Sequence, residues 1–278
     1  MKRIVCLMVL FFTLPFVSGA QAKIYTKKMK VADFTEKTLK VVMLGNEIEN
    51  TAFRTEVVNH WKLSPYEFCS IQDFKRLKED DRYYFMFIAG KEDGLDYLEV
   101  VKGTRGVGER IEKMLAVVNL PIRATGDRGL RYLSYMGAYL DFFQEFIADA
   151  MTNDIIGYSG LYRKALNAKL IQDSAIRIAD CDVAQPLDGT FKVMMEENNI
   201  YVLPEQEVTD LMLASAGKTV VSYCLRPLAE VKHKYCYTLL IGAEDHKLYY
   251  CNKKYYVFDQ DAGFNQSSLS KLLKKISR

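Results

Sequence analysis

This chain of 278 residues lacks a marked charge, has only three histidines, and carries few cysteines. Its 38 Lys+Arg against 35 Asp+Glu leave no global basic field of the kind that nucleic acid selects. Six cysteines are too few for a disulfide-dense miniprotein. None forms a low-pKa pair at the start of the first predicted helix, around Gly45–Asn50, so a thioredoxin-type dithiol site is excluded. A Walker loop and a dinucleotide fingerprint are missing too. The remainder is 49% hydrophobic and 26% charged, the composition of a folded protein long enough for two modest lobes.

The one long apolar run, Ile4–Phe16, lies at the N-terminus. Lys2 and Arg3 precede it and Ala20-Gln21-Ala22 follows it, the three parts of a secretory signal peptide over residues 1–22. The run falls short of the roughly 18 apolar residues that cross a bilayer, so no transmembrane span is expected after cleavage. Removal of the leader leaves 36 basic against 35 acidic residues and five cysteines, an odd number for an exported chain. The expected location is periplasmic or secreted.

Residues 23–122 read as an N-terminal α/β lobe that starts with an exposed, lysine-rich arm over Lys23–Lys40. Leu39–Leu44 is strand-like, and Asn50 caps a predicted helix with Phe53, Val57 and Trp61 on one face. Tyr66–Cys69 is a second strand, and Ser70 with Asp73 starts a short helix. Tyr83–Ala89 and Asp96–Val101 read as strands joined by a polar turn. Ile111, Met114, Leu115 and Val118 predict a further helix, ended near Pro121. Residues 123–169 form a predicted helical connector, with Leu133, Met136, Leu140, Phe143, Ile147 and Met151 at helical spacing, and a second helical stretch over Leu161–Ala168.

Residues 170–278 read as a C-terminal α/β lobe. Its predicted strands are Ile176–Ile178, Phe191–Met195, Ile200–Leu203, Thr219–Leu225, Tyr235–Ile241 and Lys247–Cys251. Pro204 opens a helix, and Ser268–Ile276 closes the chain as an amphipathic one. Gln72, Asp73, Phe74 and Leu77 match Gln206, Glu207, Val208 and Leu211, which suggests an internal repeat. The expected fold is therefore α/β, or α+β, with two small mixed-sheet β-α-β-β lobes joined by helices.

Motifs that could carry chemistry are sparse. Asp141, Glu145 and Asp149 line one helix face, where a solvated stripe is the reading, since carboxylates on one helix alone rarely close a coordination sphere. Cys224, Cys236 and Cys251 lie in predicted strands with His233 near Cys236, but the spacing is not that of a zinc site, and no metal or cofactor is assigned. A four-residue hairpin loop over Gly242–Asp245 would set Cys236 opposite Cys251 and make that pair a candidate disulfide; a five-residue loop would not, and buried free thiols are the alternative. Gly157-Tyr158-Ser159-Gly160 departs from a nucleophile elbow at Leu161. His60, His233 and His246 read as surface histidines. Gly103–Gly108 could offer backbone N–H groups to an anion, though loop flexibility is the simpler use. Tyr249, Tyr250, Tyr255 and Tyr256 form a candidate aromatic binding strip.

Trp61-Lys62-Leu63-Ser64-Pro65-Tyr66-Glu67-Phe68, then Phe74 and Asp81-Arg82-Tyr83-Tyr84-Phe85, give residues 40–90 a pattern that resembles secreted or periplasmic proteins of unknown function from Bacteroidetes. That resemblance implies an envelope location and an α/β fold, and carries no catalytic residues. The functional expectation is an exported, non-enzymatic binding module for a protein, peptide or glycan. The alternative is a hydrolase with a dispersed active site between the lobes.

Overall fold

A computed structural model describes residues 28–153, 173–184, 187–228, 231, 234–258 and 261–276. Lobe 1 runs β1 (Thr38–Val42), α1 (Glu47–His60), β2 (Tyr66–Cys69), α2 (Ile71–Leu77), β3 (Tyr83–Gly90), β4 (Leu95–Lys102) and β5 (Leu115–Ala124). A helical turn at Arg131–Ser134 leads into α3 (Met136–Thr152). Lobe 2 follows with β6 (Ala175–Ala179), α4 (Gly189–Glu197), β7 (Ile200–Leu203), α5 (Glu205–Leu213), β8 (Thr219–Leu225), β9 (Tyr235–Gly242), β10 (Leu248–Tyr255) and α6 (Gln266–Ile276).

The two five-stranded sheets have the same plan. Their orders are β2-β1-β3-β4-β5 and β7-β6-β8-β9-β10. In each, the first three strands are parallel and the last two add antiparallel. Gln72–Leu77 and Gln206–Leu211 fall in the corresponding helices α2 and α5, so the short sequence match coincides with a structural repeat. Local chemistry sets the helix starts. Asn46 and Ser70 each close a capping box with the acid three residues on, Glu49 and Asp73.

The helices divide between the faces in the same way in both repeats. In lobe 1, α1 and α3 cover one face, while Phe74 of α2 lies on the other with Phe85 and Phe87. In lobe 2, α4 and α6 cover one face, while Val208 and Met212 of α5 lie on the other with Val221 and Leu239. The core between the lobes joins the α1–α3 face of lobe 1 to the α5 face of lobe 2, so the repeats stack front to back. Helix α3 lies within that core, with ten buried residues around its circumference. A helix that is apolar on nearly all sides needs cover on nearly all sides, and two sheets supply it.

Tyrosines tie the stack. Tyr135 stacks on Tyr223 with ring centroids 4.4 Å apart. Its hydroxyl donates to Ser222 O at 2.9 Å, and Tyr223 Oη donates to Ile122 O at 2.5 Å. Tyr97 and Tyr237 meet through their hydroxyls at 3.0 Å. Each ring buries a large apolar area while its polar tip finds a partner, which is how tyrosine suits such a junction.

Three sequence expectations are corrected. Residues 115–124 form an edge strand where a helix was predicted; Pro121 fits there because it faces Tyr97 beside a register shift, and an edge strand tolerates a missing N–H. Phe191–Met195 is helical, started by Asp188, whose side chain accepts from Thr190 N and Phe191 N. The basic arm is not exposed throughout, since Val31 and Phe34 are fully buried and Asp33 takes Lys102 at 2.8 Å. The signal segment, the Leu161–Ala168 stretch, Gly157–Gly160 and His233 lie outside the described residues.

Candidate metal centre at the lobe junction

Two of the chain's three histidines converge on one carboxylate. His60 is the last residue of α1, Asp141 lies one turn into α3, and His246 lies in the turn between β9 and β10. Both imidazoles present Nδ1 to the same oxygen, Asp141 Oδ2, at 3.0 Å from His60 and 2.6 Å from His246. The rings are 5.3 Å apart. Their side chains are a quarter exposed or less, and that of Asp141 is about a third exposed, so the cluster is open to solvent on one side.

Each donor is held by its own support. Gln144, on α3, accepts from Lys62 N and Leu63 N at 2.5 and 2.9 Å and donates to His60 O at 3.0 Å. It thereby satisfies a carbonyl at the end of α1 and fixes that end against α3. Glu56 lies 3.4 Å from His60 Nε2, the place of an outer carboxylate that orients a histidine and leaves its other nitrogen for a ligand. Gly137 makes the room, because a Cβ there would come within 2.7 Å of His60 Nε2 and 2.9 Å of Glu56 Oε2. His246 adopts a left-handed φ of +54°, which costs a non-glycine residue roughly 1–2 kcal/mol. Bonds from Gly242 N to Lys247 O and from His246 N to Gly242 O hold the turn in that shape.

Burial pushes the Asp141 carboxyl up, but the hydrogen bond from His246 and the charge and hydrogen bond of His60 outweigh it and hold the group below the ordinary carboxylate range. All three donor atoms lie within 4.8 Å of one another. A tetrahedral zinc ion with bonds of about 2.0–2.1 Å spaces neighbouring donors about 3.3 Å apart, close to the 3.0 and 2.6 Å at which the two imidazoles approach Asp141. Glu145 and Asp149, the rest of the stripe, are outside the group. The partners of Asp141 thus come from two other elements and not from its own helix face.

A second polar centre lies at the carboxyl ends of β1 and β3, where successive helices pass to opposite faces, the usual ligand position in an open α/β sheet. A cavity of about 210 Å³ there is lined by Asn46, Glu49, Asn50, Asp96, Arg123 and Tyr132, among others. Arg123 bonds both Glu49 and Asp96, the latter at 2.8 Å, and Tyr132 Oη donates to Glu49 at 2.9 Å. Burial raises the Glu49 carboxyl, but Arg123 and Tyr132 together hold it below its ordinary range. The cavity's charges are thus largely matched from within.

The other sequence candidates are dispersed. Cys251 faces Leu239 and Cys236 faces Lys254, so the pair is not opposed; the five-residue turn and a bulge near Leu248 set a different register from the one expected. Cys236 instead lies 3.3 Å from Cys224. Tyr256 is buried, Tyr255 is exposed, Tyr249 donates to Asp245 at 2.6 Å and Tyr250 packs near Phe264, so the four do not form one exposed strip. In the glycine loop, Gly106 N and Gly108 N donate to Glu79, so the anion it binds is the chain's own.

Fold and cluster together define a two-lobed α/β protein with a histidine–carboxylate centre where its repeats meet. In comparisons with known proteins, no family model, curated protein or solved structure matches the chain. Among the described residues, no helix is long and apolar enough to cross a membrane.

Proposed function

We propose that the protein is exported to the periplasm or beyond and acts there as a non-enzymatic binding protein whose ligand is a divalent transition-metal ion of the zinc class, held by His60, Asp141 and His246. The observation that carries this reading is the convergence of two imidazoles on one carboxylate from three separate elements, with Glu56 behind one of them. Imidazole and carboxylate together suit zinc and its neighbours in the first transition row. Export rests on the leader-like residues 1–22 and on the resemblance over residues 40–90. The dispersal of the tyrosines removes the support for a protein, peptide or glycan strip, and the ion takes that place.

The test is titration of the chelator-stripped full chain with Zn²⁺ by calorimetry, and with Co²⁺ by visible spectroscopy. One equivalent binds. Asp141→Asn and His246→Ala each weaken binding by more than the roughly 10–100-fold that loss of an outer-shell partner costs, and Glu56→Gln falls within that range. No binding at micromolar metal, or equal binding by the variants, refutes the proposal. A hydrolase remains as a second reading because three protein ligands leave a fourth position for water. Ester hydrolysis by the zinc-loaded chain above that of free zinc would favour it.

A further inference from the structure

Four of the five described cysteines belong to lobe 2, and two of them touch. Cys224 pairs across the β8–β9 ladder with Thr238, and Cys236 lies two residues before Thr238, so both thiols project from the same face. Their sulfurs are 3.3 Å apart, inside the contact distance of two unbonded sulfur atoms. Cys236 is buried against Tyr256 and Ala262, with Cys224 packed alongside. The backbone N–H of Cys224 donates to Asp182 at 3.1 Å, which fixes one end of the pair. Among the described residues no histidine, carboxylate or third cysteine completes a metal group around them.

We propose that Cys224 and Cys236 are a disulfide in the exported protein, a structural strap across β8 and β9 that is independent of the metal centre. One thiol, as thiolate, attacks the disulfide of a dithiol oxidoreductase or of oxidised glutathione; the second thiol then displaces that carrier from the mixed disulfide. One S–S bond breaks and one forms. The carrier leaves as two thiols, having taken the two electrons and two protons the cysteines give up. The reaction belongs to folding, before the strands close. In the folded chain the proton shared with Cys236, together with burial, pushes the Cys224 thiol well up, which suits a structural bridge and not a cycling redox pair.

The experiment refolds the mature full chain in a mixture of oxidised and reduced glutathione, alkylates it under denaturing conditions, and maps the peptides by mass. Reactive thiols fall from five to three relative to a fully reduced sample, and a peptide linked through Cys224 and Cys236 appears. Cys224→Ser and Cys236→Ser each abolish the link, whereas Cys69→Ser and Cys251→Ser leave it. Five alkylated thiols in the oxidised sample, or a link between Cys236 and Cys251, overturns the proposal. The wild-type map decides the question even if a serine variant does not fold.

Discussion

The carboxyl edges of the two sheets show how one strand order can serve two ends. In lobe 1 the edge is open. Arg123 comes from the lobe's own β5, sits between Glu49 and Asp96, and leaves a cavity beside it. In lobe 2 the edge is filled from outside, because Arg131, on the helical turn that follows lobe 1, reaches across to Asp182 just after β6. Asp182 is 1% exposed and accepts from Arg131 Nη1 and Nη2 at 2.8 and 2.9 Å, from Ser222 Oγ at 2.5 Å and from Cys224 N. The repeat decides where an edge lies. The neighbouring lobe decides whether a site remains there.

The sharpest way to break that comparison is to remove one carboxylate from each edge. Asp182→Asn leaves Arg131 only the half-exposed Glu205, 3.7 Å from its Nε, and the expected loss is about 3 kcal/mol, the lower end for a broken buried pair. Asp96→Asn leaves Arg123 with Glu49, so the loss is that of charged hydrogen bonds, about 1–3 kcal/mol. Urea unfolding of both variants measures the difference. Equal losses would mean that the two edges are equivalent after all.

The next contrast is one of redox state. A bridge that closes a loop of about 15 residues contributes roughly 3 kcal/mol, and the Cys224–Cys236 loop is close to that length. Reductant should therefore destabilise lobe 2 by about that amount and speed amide exchange in β8 and β9, while β1 to β5, which hold no cysteine pair, keep their protection. Exchange that rises equally in both lobes would show that they unfold as one unit.

A smaller contrast concerns acid. Partial burial raises the Asp33 carboxyl, but hydrogen bonds from Lys102, Lys37 and Tyr84 overcome it and hold the group at about 2. Because the folded value is depressed, the stability it confers is complete above the unfolded carboxyl range and is lost as pH falls through about 2. After allowance for its solvent exposure, the contribution is about 1 kcal/mol. Asp33→Asn should flatten the acid limb of the stability curve between about pH 4 and 2 and leave Asp182-dependent stability unchanged. An unaltered acid limb would remove Asp33 from the account.

Much of this fold was legible in the sequence, and the site was not. Ile200–Leu203 and Thr219–Leu225 match their predicted limits, because short β-branched runs bounded by turn residues have few other uses. The register of Gln72–Leu77 with Gln206–Leu211 was visible for a similar reason, since both helices carry acids in their first turn, Asp73 in one and Glu205 and Glu207 in the other. Residues 111–121 misled because Ile111, Met114, Leu115 and Val118 match a helical period by coincidence, while tertiary pairing with β4 decides the strand. The donors of the proposed metal centre leave no local trace at all. Asp141 lies 81 residues from His60 and 105 from His246, so no spacing rule joins them. Gly137, four residues before Asp141 and the single glycine of that helix, was the one mark that something must approach α3 closely.

That glycine also separates the two helices that end the repeats. Helix α6 lies on the outside, and Ser267→Ala at its exposed surface would bring only the ordinary gain in helix propensity, a few tenths of a kcal/mol. On α3, Gly137→Ala brings two opposing effects. Propensity favours the variant by up to about 1 kcal/mol. The new Cβ, however, must displace the flexible ends of His60 and Glu56, whose present positions lie 2.7 and 2.9 Å from it. Both side chains can swing outward at little cost to the fold, so thermal stability without metal should be unchanged or slightly raised. Metal affinity should fall by roughly the 10–100-fold that follows loss of an outer-shell support, because His60 Nδ1 no longer faces Asp141. Melting temperature and zinc titration on the same variant read the two effects separately. A loss of stability with affinity intact would make Gly137 a packing residue and detach it from the centre.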